Sequence, residues 1–228
     1  MERRDFLKAG LGGVAASYFS SALMLATPKR AEAAVVEFFF TAQEVLKTVT
    51  NNKQILTWQF VDPLTTPLGN LTSNIIVNQG DTVIVHVTNA LPSTVINFKV
   101  PGLLDESATV EPGQTQAYEF VATQAGSYVY YDENNGLIGR AMGLAGPLVV
   151  MPQDGSAALY DNAPPEHQFA RQYTLLFQEM DSRINDAVTA GLTPDMSTFQ
   201  PEFFFVNGLS YPNTVYDATG AIDDSKVI

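Results

Sequence analysis

The chain of 228 residues has no cysteine, two histidines and one tryptophan. The absence of cysteine excludes disulfides, thiol nucleophiles and every metal centre built on a thiolate. Positive charge is also scarce, with 12 Lys and Arg against 24 Asp and Glu, a net charge of −12. No nucleophile elbow, phosphate-cradling glycine loop or His-paired serine is present. What remains is apolar and rich in turns: 46% hydrophobic and 16% charged, with 13 prolines and 16 glycines. That composition describes a folded protein with a real core, made of short strands between turns rather than long helices.

Residues 1–33 read as an address rather than as fold. Arg3-Arg4-Asp5-Phe6-Leu7-Lys8 matches the twin-arginine export pattern, although Glu2 stands where Ser or Thr is usual. An apolar stretch over 9–27 follows, and Ala31-Glu32-Ala33 forms a small-x-small cleavage site. The mature chain is therefore expected to begin at Ala34, in the periplasm or outside the cell. The competing reading is an uncleaved membrane anchor, since the stretch approaches the length of a minimal membrane helix. Its Gly and Ser content and the cleavage site favour removal. Export by this route carries proteins that are already folded, which hints at a cofactor-type family.

Removing this segment takes five of the twelve basic residues and three of the twenty-four acidic ones. Seven basic and 21 acidic residues remain, a net charge of −14. Nucleic acid and anionic membrane surfaces would repel such a chain, so neither is an expected partner.

From Val35 onward, short apolar or alternating runs are separated by turn signals. Strands are expected at 36–41, 54–61, 74–77, 82–88, 95–100, 116–122, 127–131 and 147–151, with a turn at Asn78-Gln79-Gly80-Asp81. A spacing of about ten residues between such runs is that of a Greek-key sandwich. Residues 153–165, in the Pro-bounded run PQDGSAALYDNAPP, form a linker between a first domain at 34–152 and a second unit at 166–228. In that second unit, strands are expected at 172–178 and 201–206 and a short helix at 181–190, with a last strand just starting at 226–228.

A complete second sandwich needs about 100 residues, so the second unit is expected to be incomplete or to dock on the first domain or on a partner. The motif EFFF occurs at 37–40 and again at 202–205. Each reads as a core strand flanked by a charge, or alternatively as corresponding strands of two homologous β-domains. An unpaired EFFF strand would offer an edge for assembly.

The order of these segments resembles the multicopper oxidases and copper nitrite reductases. VNQGDTVIVHVTNALP (77–92) resembles the family's strand, Gly-Asp turn and strand ending in Asn-x-Leu. TVINFKVPGL (94–103) stands where the family has its first His-x-His. VEPGQTQAYEFVATQAGSYVYYDENN (110–135) resembles the strand pair leading to the second His-x-His. AMGLAGPLVVMP (141–152) resembles the strand that closes the first cupredoxin domain. QYTLLFQEMDSRIN and PDMSTFQPEFFFVNGLSYPNT resemble the opening of the family's second domain. The resemblance implies an all-β fold, a Greek-key cupredoxin-like β-sandwich with an incomplete or docked second cupredoxin-like unit.

In that family each His-x-His places two imidazoles on one side of a strand, because side chains two apart point the same way. Copper is held by these neutral nitrogens, and a blue centre adds a Cys thiolate. Here the first pair of positions holds Asn97 and Lys99 and the second holds Tyr131 and Glu133. On the nitrite reductase pattern, the His-Cys pair falls on Tyr131 and Asp132. The resemblance therefore implies a fold without its copper ligands, with no catalytic, cofactor-binding or metal-binding residues. His86 and His167 lie off the family's ligand positions and read as ordinary strand and surface histidines.

Lys99 and Glu133 occupy positions that converge in the family, so a partly buried ion pair beside Asn97 and Tyr131 is expected. A rival use of the same segment is a hard-cation site from the oxygens of Asp132, Glu133, Asn134 and Asn135; the plainer reading is a solvated polar turn.

The expected function is that of an exported, non-catalytic binding, scaffold or assembly protein, without a cofactor. Its partner is another protein or, as a homo-oligomer, itself, with no membrane contact beyond the signal peptide. The alternative is an oxidoreductase whose copper lies in sequence outside this chain or in a neighbouring subunit. Some twin-arginine-exported members of the family that act in bacterial cell division lack copper ligands. They have three complete domains, so the resemblance does not carry their role over to this chain.

Overall fold

The computed structural model describes residues 33–63, 73–211 and 214; the export signal and the expected strand at 226–228 lie outside them. The first unit runs β1 (Val35–Thr48), β2 (Gln54–Val61), β3 (Ile75–Asn78), β4 (Thr82–Asn89), β5 (Ile96–Asn97), β6 (Thr109–Val110), β7 (Thr115–Val121), β8 (Gly126–Tyr131), helix α1 (Gly136–Met142) and β9 (Ala145–Met151). After a 3-10 turn at Pro165–His167 come β10 (Phe177–Met180), α2 (Ser182–Thr189), β11 (Phe203–Val206) and β12 (Leu209–Ser210).

The strands form a four-stranded sheet in the order β2-β1-β4-β7, a three-stranded sheet β3-β9-β8, a β5–β6 pair and a small sheet β10-β11-β12. β1 runs parallel to β4 and β3 parallel to β9, while the other pairings are antiparallel. Alternation explains which face is inside. In β4, Val83, Val85 and Val87 are fully buried while Thr82, Ile84, His86 and Thr88 keep partial exposure. These valines join Phe38 and Phe40 of β1, Phe120 of β7, and Ile75, Tyr130 and Leu148 of the facing sheet in one core.

Tyr130 sits at the centre of that core, its ring stacked on Phe98 at 4.9 Å and edge-on to Phe60 at 5.7 Å. Its hydroxyl donates to the Ser73 carbonyl at 2.5 Å, which satisfies the one polar atom that burial of a tyrosine leaves over. The ring lies across its paired residue Gly146, where any Cβ would overlap it. Glycine is the residue that permits this close crossing.

β1 serves two cores with one straight strand. The even positions of its first half, Phe38, Phe40 and Ala42, face the sandwich core. The odd positions of its second half, Val45 and Lys47, and the following Val49 are buried as well, Lys47 and Val49 against the second unit. There Val49 and Ile55 pack on Met180 and Phe205. Hydrogen bonds join the two units: Lys47 Nζ donates to the Gly208 carbonyl at 2.7 Å, Lys53 Nζ to Ser182 Oγ at 2.6 Å, and Asn185 Nδ2 to the Leu56 carbonyl at 2.9 Å. The described part of the second unit is thus docked on the β1–β2 hairpin.

Three expectations need correction. β1 extends to Thr48 instead of stopping at 41, because its later residues alternate toward the second unit. The strand expected at 172–178 begins only at Phe177: the Asn207 side chain takes the backbone of Thr174 and Leu176, donating to the first at 2.9 Å and accepting from the second at 2.8 Å. Helix α1 was not expected, since Gly136 and Gly139 lower helix propensity. Both EFFF stretches are paired, but not on both sides throughout: β11 lies between β10 and β12, whereas Val35–Phe40 of β1 pair only with β4 and keep an open edge among the described residues.

Candidate functional site

The positions singled out in the sequence lie where β5 and the residues after it meet the end of β8. Ile96, Phe98 and Val100 are fully buried in the core, so alternation sends Asn97 and Lys99 to the opposite face. On β8, Tyr130 points inward, and Tyr131 and Glu133 share the other face by the same rule. Lys99 and Tyr131 are directly opposed, exchanging two backbone hydrogen bonds of 3.0 Å each. The Lys99 ammonium donates to Glu133 Oε2 at 2.6 Å. Asn97 Oδ1 accepts the backbone N–H groups of Glu133 at 2.7 Å and Asn134 at 3.0 Å. The structure therefore brings all four residues together.

Asp132 anchors the corner beneath them. Its side chain is fully buried. Oδ1 accepts the Asn97 N–H at 2.9 Å, and Oδ2 accepts from Asn135 Nδ2 at 2.7 Å and from its backbone N–H at 3.3 Å. Burial raises the carboxyl's pKa, against the lowering effect of these hydrogen bonds. A Cβ at Gly139 of α1 would overlap the Asp132 carboxylate, so glycine lets α1 approach this closely. Asn134 Nδ2 and Asn135 Nδ2 both donate to the Val95 carbonyl, at 2.8 and 2.9 Å.

Both Asp132 oxygens accept N–H groups, and the Asn134 and Asn135 side-chain amides both donate to the Val95 carbonyl, so the segment is a hydrogen-bonded clasp. It is not merely a solvated turn, since Asp132 is buried. No group of three or more His, Asp or Glu able to hold a metal occurs among the described residues.

The ion pair is more exposed than expected. The Lys99 side chain keeps 18% of its accessible surface and Glu133 48%, so the penalty for breaking a buried pair does not apply. The hydrogen bond with Glu133, helped by the negative charge of Glu133 and Asp105, raises the Lys99 pKa despite some desolvation. The Arg140 guanidinium lies 4.9 Å over the Tyr131 ring.

As they stand, these side chains do not fit a copper ion. Lys99 presents a cation, the Asn97 oxygen is occupied by two N–H groups, and Tyr131 is covered by Arg140. The histidines are elsewhere: His86 stacks on Phe39 and its Nε2 lies 3.0 Å from Glu37 Oε2, while His167 Nδ1 is hydrogen-bonded to the Tyr160 hydroxyl. Sequence reasoning missed the structural role of Asp132 and the part of Arg140. The signal for Asp132 was the inward parity that it shares with Tyr130 in YVYYD.

Residues 69–155 match the family model described as multicopper oxidase. No curated protein matches the chain. Among solved structures, copper nitrite reductase from Nitrosomonas europaea is similar at 21% identity and a TM-score of 0.58, over 76% of this chain and 56% of that one. The blue copper oxidase of the same organism gives 22% identity and a TM-score of 0.61, over 81% and 56%. A laccase from Botrytis aclada gives 20% and 0.57, over 87% and 35%. The chain thus spans about half the length of the first two. The chain has the cupredoxin fold of these neighbours, and its residues 69–155 resemble the multicopper oxidase family.

Proposed function

We propose that this chain is an exported, copper-free relative of the multicopper oxidases that works by binding, as a non-catalytic scaffold or assembly protein in the periplasm or outside the cell. The observation that carries the reading is the Lys99–Glu133 ion pair, 2.6 Å long, at positions that correspond by resemblance to copper ligands. An ammonium repels a copper cation, and the carboxylate beside it is already engaged. The lack of any cysteine supports the same reading, since a blue centre needs a thiolate.

Copper analysis of the full chain, exported and purified from copper-supplemented cells, tests this. The expected result is copper far below one ion per chain and no blue absorption band. Stoichiometric copper with a blue band would overturn the proposal and favour an oxidoreductase. Light scattering on the same sample separates the two forms of binding: a large species supports self-assembly, and a monomer leaves a different protein as the partner.

A further inference from the structure

The outward face of the sheet formed by the first half of β1 with β4 and β7 is regular and, among the described residues, uncovered. Register places three residues in each row across it: Val35, Thr82 and Val121; then Glu37, Ile84 and Glu119; then Phe39, His86 and Ala117; then Thr41, Thr88 and Thr115. Val35 is 65% exposed, and Phe39 and Val121 are each 47% exposed. No Lys or Arg stands at any of these twelve positions. Glu37 and Glu119 flank Ile84, about 10 Å apart by two strand spacings. The second unit meets this same side of β1 at Lys47, whose Nζ donates to the Gly208 carbonyl, and packs on Val49 just beyond it, so the exposed face continues an interface that is already in use.

We propose that this face docks a basic amphipathic helix of a partner protein. The charge pattern selects the occupant. Glu37 Oε2 lies 3.0 Å from His86 Nε2, but no lysine or arginine stands on this face, so the two carboxylates leave it acidic and cations supplied from outside complement it. Helical residues seven apart on one face are separated by about 10 Å, the spacing of the two carboxylates. Apolar residues three and four positions along such a helix fall between its cations, over Ile84 and beside Phe39 of the neighbouring row. The same carboxylates disfavour an acidic partner and a membrane of anionic lipid.

This inference extends the binding reading but uses none of the copper-like positions. The probe is a fluorescein-labelled helical peptide of alanine with lysines seven apart and two leucines between them, with a control carrying glutamates for lysines. Anisotropy titration of the full chain should show saturable binding of the lysine peptide alone. E37Q/E119Q should weaken it about fivefold, the effect of losing two exposed ion pairs. E111Q/E166Q, which removes the same charge elsewhere, should not. Backbone amide shifts on the unmutated protein should map the peptide to residues 82–88 and 115–121, a readout independent of any variant. Absence of saturable binding, equal loss in both double variants, or a footprint elsewhere would overturn the proposal. Copper measured on the same sample keeps the two proposals apart, since copper with intact peptide binding removes only the first.

Discussion

Lys47 offers a direct measure of how firmly the second unit is docked. Its side chain is buried between β2 and the turn after β11, with Nζ donating to the Gly208 carbonyl and lying 5.9 Å from the centre of the Phe205 ring. Desolvation lowers its pKa from 10.5 to about 8. The unfolded chain therefore binds more protons than the folded one between pH 8 and 10.5, and stability must rise with pH across that window. The full gain is about 3 kcal/mol, and about 2.5 kcal/mol of it develops between pH 7 and 10. Tyr118 and Tyr130, raised by burial, act in the opposite direction above pH 10, because only the unfolded chain then loses their protons. Comparing the unmutated protein with Lys47→Met cancels that contribution. Urea unfolding of both at pH 7, 8, 9 and 10 should show their stability difference moving by about 2.5 kcal/mol in favour of the lysine protein as pH rises. A difference that stays flat would mean that Lys47 is solvated and that the second unit does not close over β1.

Two further changes separate the strong parts of the Asn97 corner from the weak ones. Asn97→Ala removes the acceptor for two backbone N–H groups and should cost about 2 kcal/mol in urea unfolding, while Asn97→Asp keeps the acceptor and recovers most of it. Glu133→Gln breaks only the exposed pair and should leave the thermal midpoint within about 2 °C.

Much of the sandwich was legible because its strands obey alternation and its turns carry strong signals. TVIVHVT places every valine inside, and the turn at Asn78-Gln79-Gly80-Asp81 is closed by Asp81, whose carboxylate accepts the N–H of Asn78 at 2.8 Å. What escaped depends on partners distant in sequence. The second half of β1 reads as a strand only once the second unit, more than a hundred residues away, meets Lys47 and Val49. The start of β10 is set by Asn207, some thirty residues downstream, which no local pattern reveals. At the corner, the family resemblance, in which the positions of Lys99 and Glu133 converge, anticipated their meeting, but residue types alone did not indicate how exposed the pair would be.

That exposure changes what the ion pair explains. Held in place by Asp132 and Asn97, the backbone of the corner is fixed by buried hydrogen bonds that involve neither the Lys99 ammonium nor the Glu133 carboxylate. A surface pair adds little to stability, so the fold does not require these two side chains. What they do set is the character of the surface there: a cation, an anion and an arginine-capped tyrosine displayed on a rigid frame. Tyrosine and arginine are the residues that most often anchor protein interfaces. A corner whose backbone is rigid and whose outward side chains are free to be specific is suited to recognition, which is the role that the binding proposal asks of it.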